Sequence, residues 1–350
     1  TTLQILMKRF IRLCRSGCIS FGIANISMSQ DAHYSQATSF PLLINPAFSG
    51  AFNGKARAIV SARNQNIAVP NTAFSGVYNT FGASIDMKIF EDFTDQNTWS
   101  IGLMGLSDYA GTGTLATTQV LFHSAYNLSL DRYGRSFLSI GLQSGFTNRR
   151  IFSKDLLFST QVNEFEFDPK LPNLEPFING GSEFAFLLNL GTVYQQQMGE
   201  NVVSQIGFSL YNINNPKQFF FTNSSENIYS RLNLTGGLLF QLDEFSKLYP
   251  SLVYMKQGNF HSANFGMSYT RELSDIVSLT GGIRNRLGDA FILIGGIKYN
   301  NFIASVSYDV TTSGLSKANN SVGALELNLT YILGESNETY SGDKQYCPGF

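Results

Sequence analysis

Side chains that alternate between apolar and polar over ten or more consecutive residues constrain this chain more than any other feature. In VLFHSAYNLSL, residues 120–130, Val120, Phe122, Tyr126, Leu128 and Leu130 fall on one side of an extended backbone, and His123, Asn127 and Ser129 on the other. Strand side chains point to opposite faces with period two, so one face is oily and one wet. FLSIGLQSGF sets Leu138, Ile140, Leu142 and Phe146 against Ser139, Gly141, Gln143 and Gly145. LELNLTYIL sets Leu325, Leu327, Leu329, Tyr331 and Leu333 against Glu326, Asn328 and Thr330.

Segments of this kind, punctuated by Gly, Asn, Asp or Pro, predict strands at 55–66, 71–90, 97–110, 114–131, 135–150, 181–198, 201–214, 227–243, 247–258, 260–272, 275–287, 289–299, 301–312 and 322–333. Strands of soluble sheets run about 5 or 6 residues, whereas a tilted strand crossing a membrane needs about 9 to 11. These segments match the longer class. No apolar run reaches the roughly 18 to 20 residues of a spanning helix. Charged residues are 14% of the 350-residue chain, against about 25% in an average soluble protein. A soluble Gly-rich β-sandwich or propeller would need more charge on its surface. The expectation is therefore an all-β fold: a transmembrane antiparallel β-barrel of about 14 strands, oily outside and polar within, which leaves no backbone edge unpaired in lipid.

Loop lengths carry the same message. An even strand number puts both termini on one side, and connections should alternate between long outer loops and short periplasmic turns. The longest gaps, 151–180, 215–226 and 313–321, all fall on the outer side of such a count, and the turns at 131–135, 199–201 and 299–301 fall on the inner side. Trp99, Tyr109, Tyr133, Tyr194, Tyr249, Tyr299 and Tyr331 lie near predicted strand ends, where amphipathic rings sit at lipid headgroups.

The barrel, residues 55–333, is flanked by other segments. Residues 1–29 hold Lys8, Arg9, Arg12 and Arg15 with no acid, then CISFGIANI and the small residues Ser27 and Ser29, the pattern of a secretory signal peptide. Cys14 and Cys18 leave with it, so Cys347 has no intramolecular partner. Residues 30–54 read as a periplasmic pre-barrel segment and 334–350 as a C-terminal periplasmic tail.

A chain of formal net charge −1, more acidic once the leader is gone, has no concentrated basic surface for nucleic acid. His33, His123 and His261 are isolated from other ligands at metal spacing, and AGTGT at 110–114 lacks the Lys and helix of a phosphate loop. No nucleophile elbow or Ser-His-Asp set is visible, so neither enzyme activity nor a cofactor is expected. Arg57, Arg63, Arg149, Arg150, Arg284 and Arg286 stand out, since a charge facing lipid at mid-depth costs about 2–4 kcal/mol. They should face the lumen or lie at the rims, either paired with Asp and Glu or forming a basic patch for a polypeptide or anion.

One stretch before the barrel does not alternate. In it Tyr34-Ser35-Gln36, Pro41-Leu42, Asn45-Pro46-Ala47-Phe48, Gly50 and Arg63-Asn64-Gln65, with Arg284-Asn285-Arg286-Leu287-Gly288-Asp289-Ala290, Lys298-Tyr299-Asn300-Asn301-Phe302, Ser307-Tyr308-Asp309-Val310 and Cys347-Pro348-Gly349-Phe350 at the far end, resemble the PorP/SprF family of outer-membrane proteins of the Bacteroidetes type IX secretion system. The family's usual Asn-Gly-Arg-Gly before the last strand is Asn320-Ser321-Val322-Gly323 here. The resemblance implies a non-catalytic outer-membrane barrel that assists export of, or anchors at the cell surface, a cognate secreted protein such as a gliding adhesin. Implied partners are outer-membrane lipid, the C-terminal domain of a type IX substrate, and periplasmic secretion, motility or peptidoglycan-binding proteins. Asn45, Pro46, Phe48, Arg57, Arg63, Asn64, Gln65, Arg284 and Arg286 are the candidate partner-binding or lumen residues. Pro41 and Pro46 restrict the chain, so the 30–54 segment either forms a defined turn at the periplasmic mouth or plugs the lumen. A porin-like solute channel is the alternative function.

Overall fold

A computed structural model describes residues 34–65, 78–91, 97–110, 115–151, 159–162, 168, 171, 184–221, 224–314 and 316–334. Sixteen strands follow in chain order: β1 (Ala56–Gln65), β2 (Tyr78–Glu91), β3 (Thr98–Ala110), β4 (Leu115–Ser129), β5 (Ser136–Ile151), β6 (Ala185–Gln197), β7 (Val202–Tyr211), β8 (Lys217–Phe221), β9 (Ser224–Asn227), β10 (Arg231–Asp243), β11 (Ser246–Gln257), β12 (Phe260–Ser274), β13 (Val277–Arg286), β14 (Ala290–Tyr299), β15 (Phe302–Thr311) and β16 (Val322–Leu333). All but β8 and β9 form one closed barrel in which each strand pairs antiparallel with its neighbours. Its seam is the β1–β16 pair, in register from Ala56↔Leu333 to Gln65↔Ala324. No helix of the described residues is long and apolar enough to cross a membrane.

The alternating pattern decides which way each strand faces. Val120, Phe122, Tyr126, Leu128 and Leu130 are exposed on the outside, while His123 and Asn127 are buried inside. In the same way Ile140, Leu142 and Phe146 look out over lipid from β5, and Ser139 and Gln143 look in. The outer face is thus a continuous apolar band, as a barrel solvated by acyl chains requires.

Up-and-down order puts the connections 66–77, 111–114, 152–184, 212–230, 258–259, 287–289 and 312–321 at one end and 92–97, 130–135, 198–201, 244–245, 275–276 and 300–301 at the other. We call these the long-loop and short-turn ends. The three gaps read as long from the sequence all lie at the former. Several strand ends shift by a few residues: 201–214 closes at Tyr211, 227–243 opens at Arg231 and 260–272 extends to Ser274. Of the stretch 71–90, Tyr78 onward is strand β2, and 71–77 lie outside the described residues. The 212–230 connection carries a two-stranded ribbon, β8–β9, that the sequence reading left as loop. Residues 1–29 and 335–350, the expected leader and nearly all of the expected tail with Cys347, also lie outside the described residues.

The interior differs from a purely polar lumen. Ile59, Met104, Leu106, Leu121 and Leu187 point inward and are buried, because they pack against Tyr34, Phe40, Leu42 and Leu43 of the segment before β1. A second cluster joins Ala47, Phe48 and Ala51 to Val193 of β6. The protein's core lies between wall and segment.

Candidate functional site

Residues Tyr34–Phe52 run through the barrel as a strap. The chain there forms two short 3-10 turns, Pro41–Leu43 and Pro46–Phe48, each with proline at its first position. Proline suits that position because its missing N–H has no partner in the turn to lose. Asn45 holds an extended backbone before Pro46, and its side-chain oxygen accepts from the Ala47 N–H at 2.9 Å. The side chain caps the second turn as an Asx residue does.

Hydrogen bonds fix the strap's direction. Its start is held near the long-loop end: Glu326 accepts from the Ser35 and Gln36 N–H groups at 2.6 and 3.1 Å, and Ser35 Oγ donates to Asp309 at 2.6 Å. Lower down, Tyr211 Oη and Arg231 Nη2 each donate at 3.2 Å to the carbonyls of Leu42 and Leu43. Ser209 Oγ and Asn233 Nδ2 both donate to the Ile44 carbonyl, at 2.7 and 2.8 Å. At mid-depth Asn45 Nδ2 donates to the carbonyls of Thr192 and Phe208. Towards the short-turn end Ser100 Oγ donates to the Ser49 carbonyl at 2.8 Å, and Asp86 accepts from the Gly50 N–H at 2.9 Å. The Lys55 N–H reaches the Leu333 carbonyl, and β1 begins. Of the mouth and lumen placements left open by the sequence, the described part of the segment takes the lumen.

Close approach to the wall depends on glycine. A Cβ at Gly141 would lie 2.4 Å from the Ala47 nitrogen, and one at Gly191 would lie 2.0 Å from Asn45 Oδ1. Only glycine lets the Asn45-Pro46-Ala47 backbone lie flat on β5 and β6.

Two charge clusters clamp the strap's ends. Near the short-turn end Arg57 donates to both Asp86 oxygens, at 3.0 and 2.8 Å, and to the Phe48 carbonyl at 3.2 Å. Its guanidinium also lies 4.7 Å above the Phe52 ring. Near the long-loop end Arg63 pairs with Asp309 at 3.3 Å and Glu326 at 3.5 Å, and Arg286 pairs with Asp309 at 2.9 Å and Asp289 at 2.5 Å. Arg63 and Arg286 both reach Ser35 Oγ. Removing one partner of a buried pair strands the other charge, so each cluster commits the strap to one position. Next to the upper cluster, burial pushes the Tyr34 hydroxyl well above the usual tyrosine range, with Glu326 and Asp108 adding to the effect.

A family model described as type IX secretion system membrane protein PorP/SprF matches residues 26–331. The chain belongs to this family. No curated protein matches it. Among solved structures, a TodX monoaromatic hydrocarbon channel deltaS2 mutant is similar at 9% identity with a TM-score of 0.51, covering 83% of this chain and 93% of that one. The Ralstonia pickettii toluene transporter TbuX is similar at 11% identity with a TM-score of 0.46, over 86% and 94% of the two chains. A Pseudomonas aeruginosa FadL homologue follows at 9% identity, a TM-score of 0.48 and coverage of 82% and 92%. The TodX likeness shows a shared barrel fold. The PorP/SprF protein is an outer-membrane β-barrel.

Most residues picked from the PorP/SprF resemblance converge on the strap. Asn45, Pro46 and Phe48 are its central turn, and Arg57, Arg63 and Arg286 are the cations of its two clamps. Arg284 faces the lumen but bonds to Asn264 on the neighbouring β12 and to Ser251 on β11, one strand further, rather than to the strap. Asn64 and Gln65 lie half-buried at the rim, where Asn64 donates to Asn79 at 2.7 Å. Arg150 is exposed at the long-loop end of β5. His123 is fully buried beside Gln143, whose Nε2 also donates to the Leu42 carbonyl at 3.4 Å. Tyr249 departs from the expected aromatic belt: it turns inward, where its ring lies over the bare backbone of Gly237. The carboxylates Asp86, Asp309 and Glu326 and the glycines Gly141 and Gly191 were not picked, because their partners lie far away in the chain.

Proposed function

We propose that this PorP/SprF protein is a closed, non-catalytic barrel of the type IX secretion machinery that assists export of a cognate polypeptide or anchors it at the cell surface, a gliding adhesin being one such cargo. In this reading the long-loop end faces outward and receives the cargo. The short-turn end faces the periplasm and meets the machinery or peptidoglycan-binding proteins there. The observation that carries it is the filled lumen. A strap held by buried ion pairs and by bonds to strands on every side leaves function to the barrel's ends.

A solute channel, the activity named for TodX, is the second reading. A space between strap and wall among Tyr34, Phe40, Leu43, Val253, Met255 and Arg286 measures about 50 Å³. That is room for a few water molecules rather than for a solute path. The test is purification of a tagged chain from outer membranes of cells secreting type IX substrates. The proposal expects an exported polypeptide in stoichiometric amount. Recovery of the barrel with neither exported nor periplasmic secretion protein would overturn it.

A further inference from the structure

Strap and wall enclose a second small space, apart from the ion pairs of both clamps. It measures about 10 Å³ and lies among Gln36, Thr38 and Ser39 of the strap and Tyr249, Ser268 and Arg284 of β11, β12 and β13. That is room for one guest the size of a water molecule or a single-atom ion. Each of these six side chains carries an N–H or O–H donor, and none is a carboxylate.

Two of them have donors to spare. Gln36 is only 1% exposed, and its Oε1 accepts from Ser39 Oγ at 3.1 Å and from Ser305 Oγ at 2.8 Å, while its Nε2 is buried with no hydrogen-bond partner. A buried amide N–H is rarely left in that state. Arg284 is 5% exposed and donates from Nε to Asn264 Oδ1 at 2.8 Å, from Nη1 to Ser251 Oγ at 2.8 Å and from Nη2 to the Asn264 carbonyl at 3.3 Å. A guanidinium has five N–H groups, so others remain.

All of these acceptors on Arg284 are neutral. A cation held out of water is costly unless an anion balances it. The carboxylates of the upper clamp, Asp289, Asp309 and Glu326, bond Arg63, Arg286 and the strap, and among the described residues no carboxylate bonds Arg284.

We propose that this space binds one monatomic anion, with Gln36 Nε2 and Arg284 as its donors. Chloride, the abundant halide outside cells, is the natural occupant. A water molecule would fill the volume but leave the Arg284 charge unbalanced, and a metal cation would be repelled by it. The anion ties Gln36 of the strap to β13 of the wall, a fastening distinct from the carboxylate clamps. It concerns the strap alone and stands or falls apart from the export role.

The test follows amide hydrogen exchange of the full chain in detergent, in sodium chloride and in sodium gluconate of equal ionic strength, gluconate being too large for the space. At a chloride concentration about ten times its dissociation constant, exchange over residues 34–40 should be about tenfold slower than in gluconate, with residues 48–52 unchanged. Gln36→Glu, which tethers a carboxylate beside Arg284, should exchange slowly in both salts, and Gln36→Leu quickly in both. Crystals soaked in sodium bromide should show an anomalous peak between Gln36 and Arg284. Equal wild-type rates in the two salts, as a bound water gives, overturn the proposal. So does a slowing shared by residues 48–52, which is a general salt effect, a chloride response kept by both Gln36 variants, or a bromide peak only elsewhere. Should Gln36→Glu fail to fold, Gln36→Leu and the bromide peak still decide.

Discussion

Replacing Asp86 with alanine tests the lower clamp. Asp86 is fully buried and accepts three hydrogen bonds, from Arg57 Nε at 3.0 Å, Arg57 Nη2 at 2.8 Å and the Gly50 N–H at 2.9 Å. Removing one partner of a buried ion pair costs about 3–5 kcal/mol, because the surviving charge stays out of water. Arg57 would keep its bond to the Phe48 carbonyl and its place over the Phe52 ring, which holds the cost near the lower figure. About 3 kcal/mol is roughly two powers of ten in the opening equilibrium of the strap. Amide hydrogen exchange over Phe48–Phe52 should therefore quicken by about a hundredfold, while the wall strands β3–β6 keep their protection. The double variant Arg57→Met/Asp86→Leu removes both charges and should fall between, since the orphaned Gly50 N–H alone costs about 1–3 kcal/mol. Exchange in Asp86→Ala within a few-fold of the wild type would refute the clamp.

Three further outcomes follow from the same geometry. Gly141→Val should expel the Pro46–Ala47 turn from β5 and open the strap to protease in folded barrels, whereas Gly105→Ala, with open space around it, should change nothing; limited proteolysis compares them. Tyr34→Phe should stabilise the strap by about 1 kcal/mol, because the buried Tyr34 oxygen has no hydrogen-bond partner. The raised pKa of Tyr34 means that the folded state resists ionisation. Its contribution is whole below the ordinary tyrosine value of about 10 and is lost as pH rises beyond it, so wild type should loosen in alkali with a pH dependence that Tyr34→Phe lacks. Leu142→Arg, on the lipid face at the middle of β5, should cost about 2–4 kcal/mol in a folding titration into bilayers.

The outer surface was legible because lipid imposes one rule on every strand. Val120, Phe122, Ile140 and Leu142 had to alternate with polar neighbours, and a period of two survives in any single sequence. The same rule kept Arg57, Arg63, Arg284 and Arg286 off the lipid face, in the lumen or at the rims, and all four are buried in the lumen. Their partners carried no local signal: Arg63 meets Glu326 across the barrel seam, and Asn45 meets Thr192 and Phe208, which lie 147 and 163 residues further along the chain. Inward Leu121 and Leu187 broke the polar side of the pattern, and this trace of the strap was in the sequence. The β8–β9 ribbon was harder to see, since five and four residues between Pro216 and Ser230 are too short for periodicity to register. Its cue was the run Phe219-Phe220-Phe221 inside a loop.

The claim on which the rest depends is that the strap fills the lumen from one end to the other. Single-channel recording of the purified protein in a planar lipid bilayer tests it most directly. The account predicts a silent membrane at moderate voltage, with steps arising only in variants such as Gly141→Val that dislodge the strap. A steady ohmic conductance of porin size from the wild-type protein would contradict it.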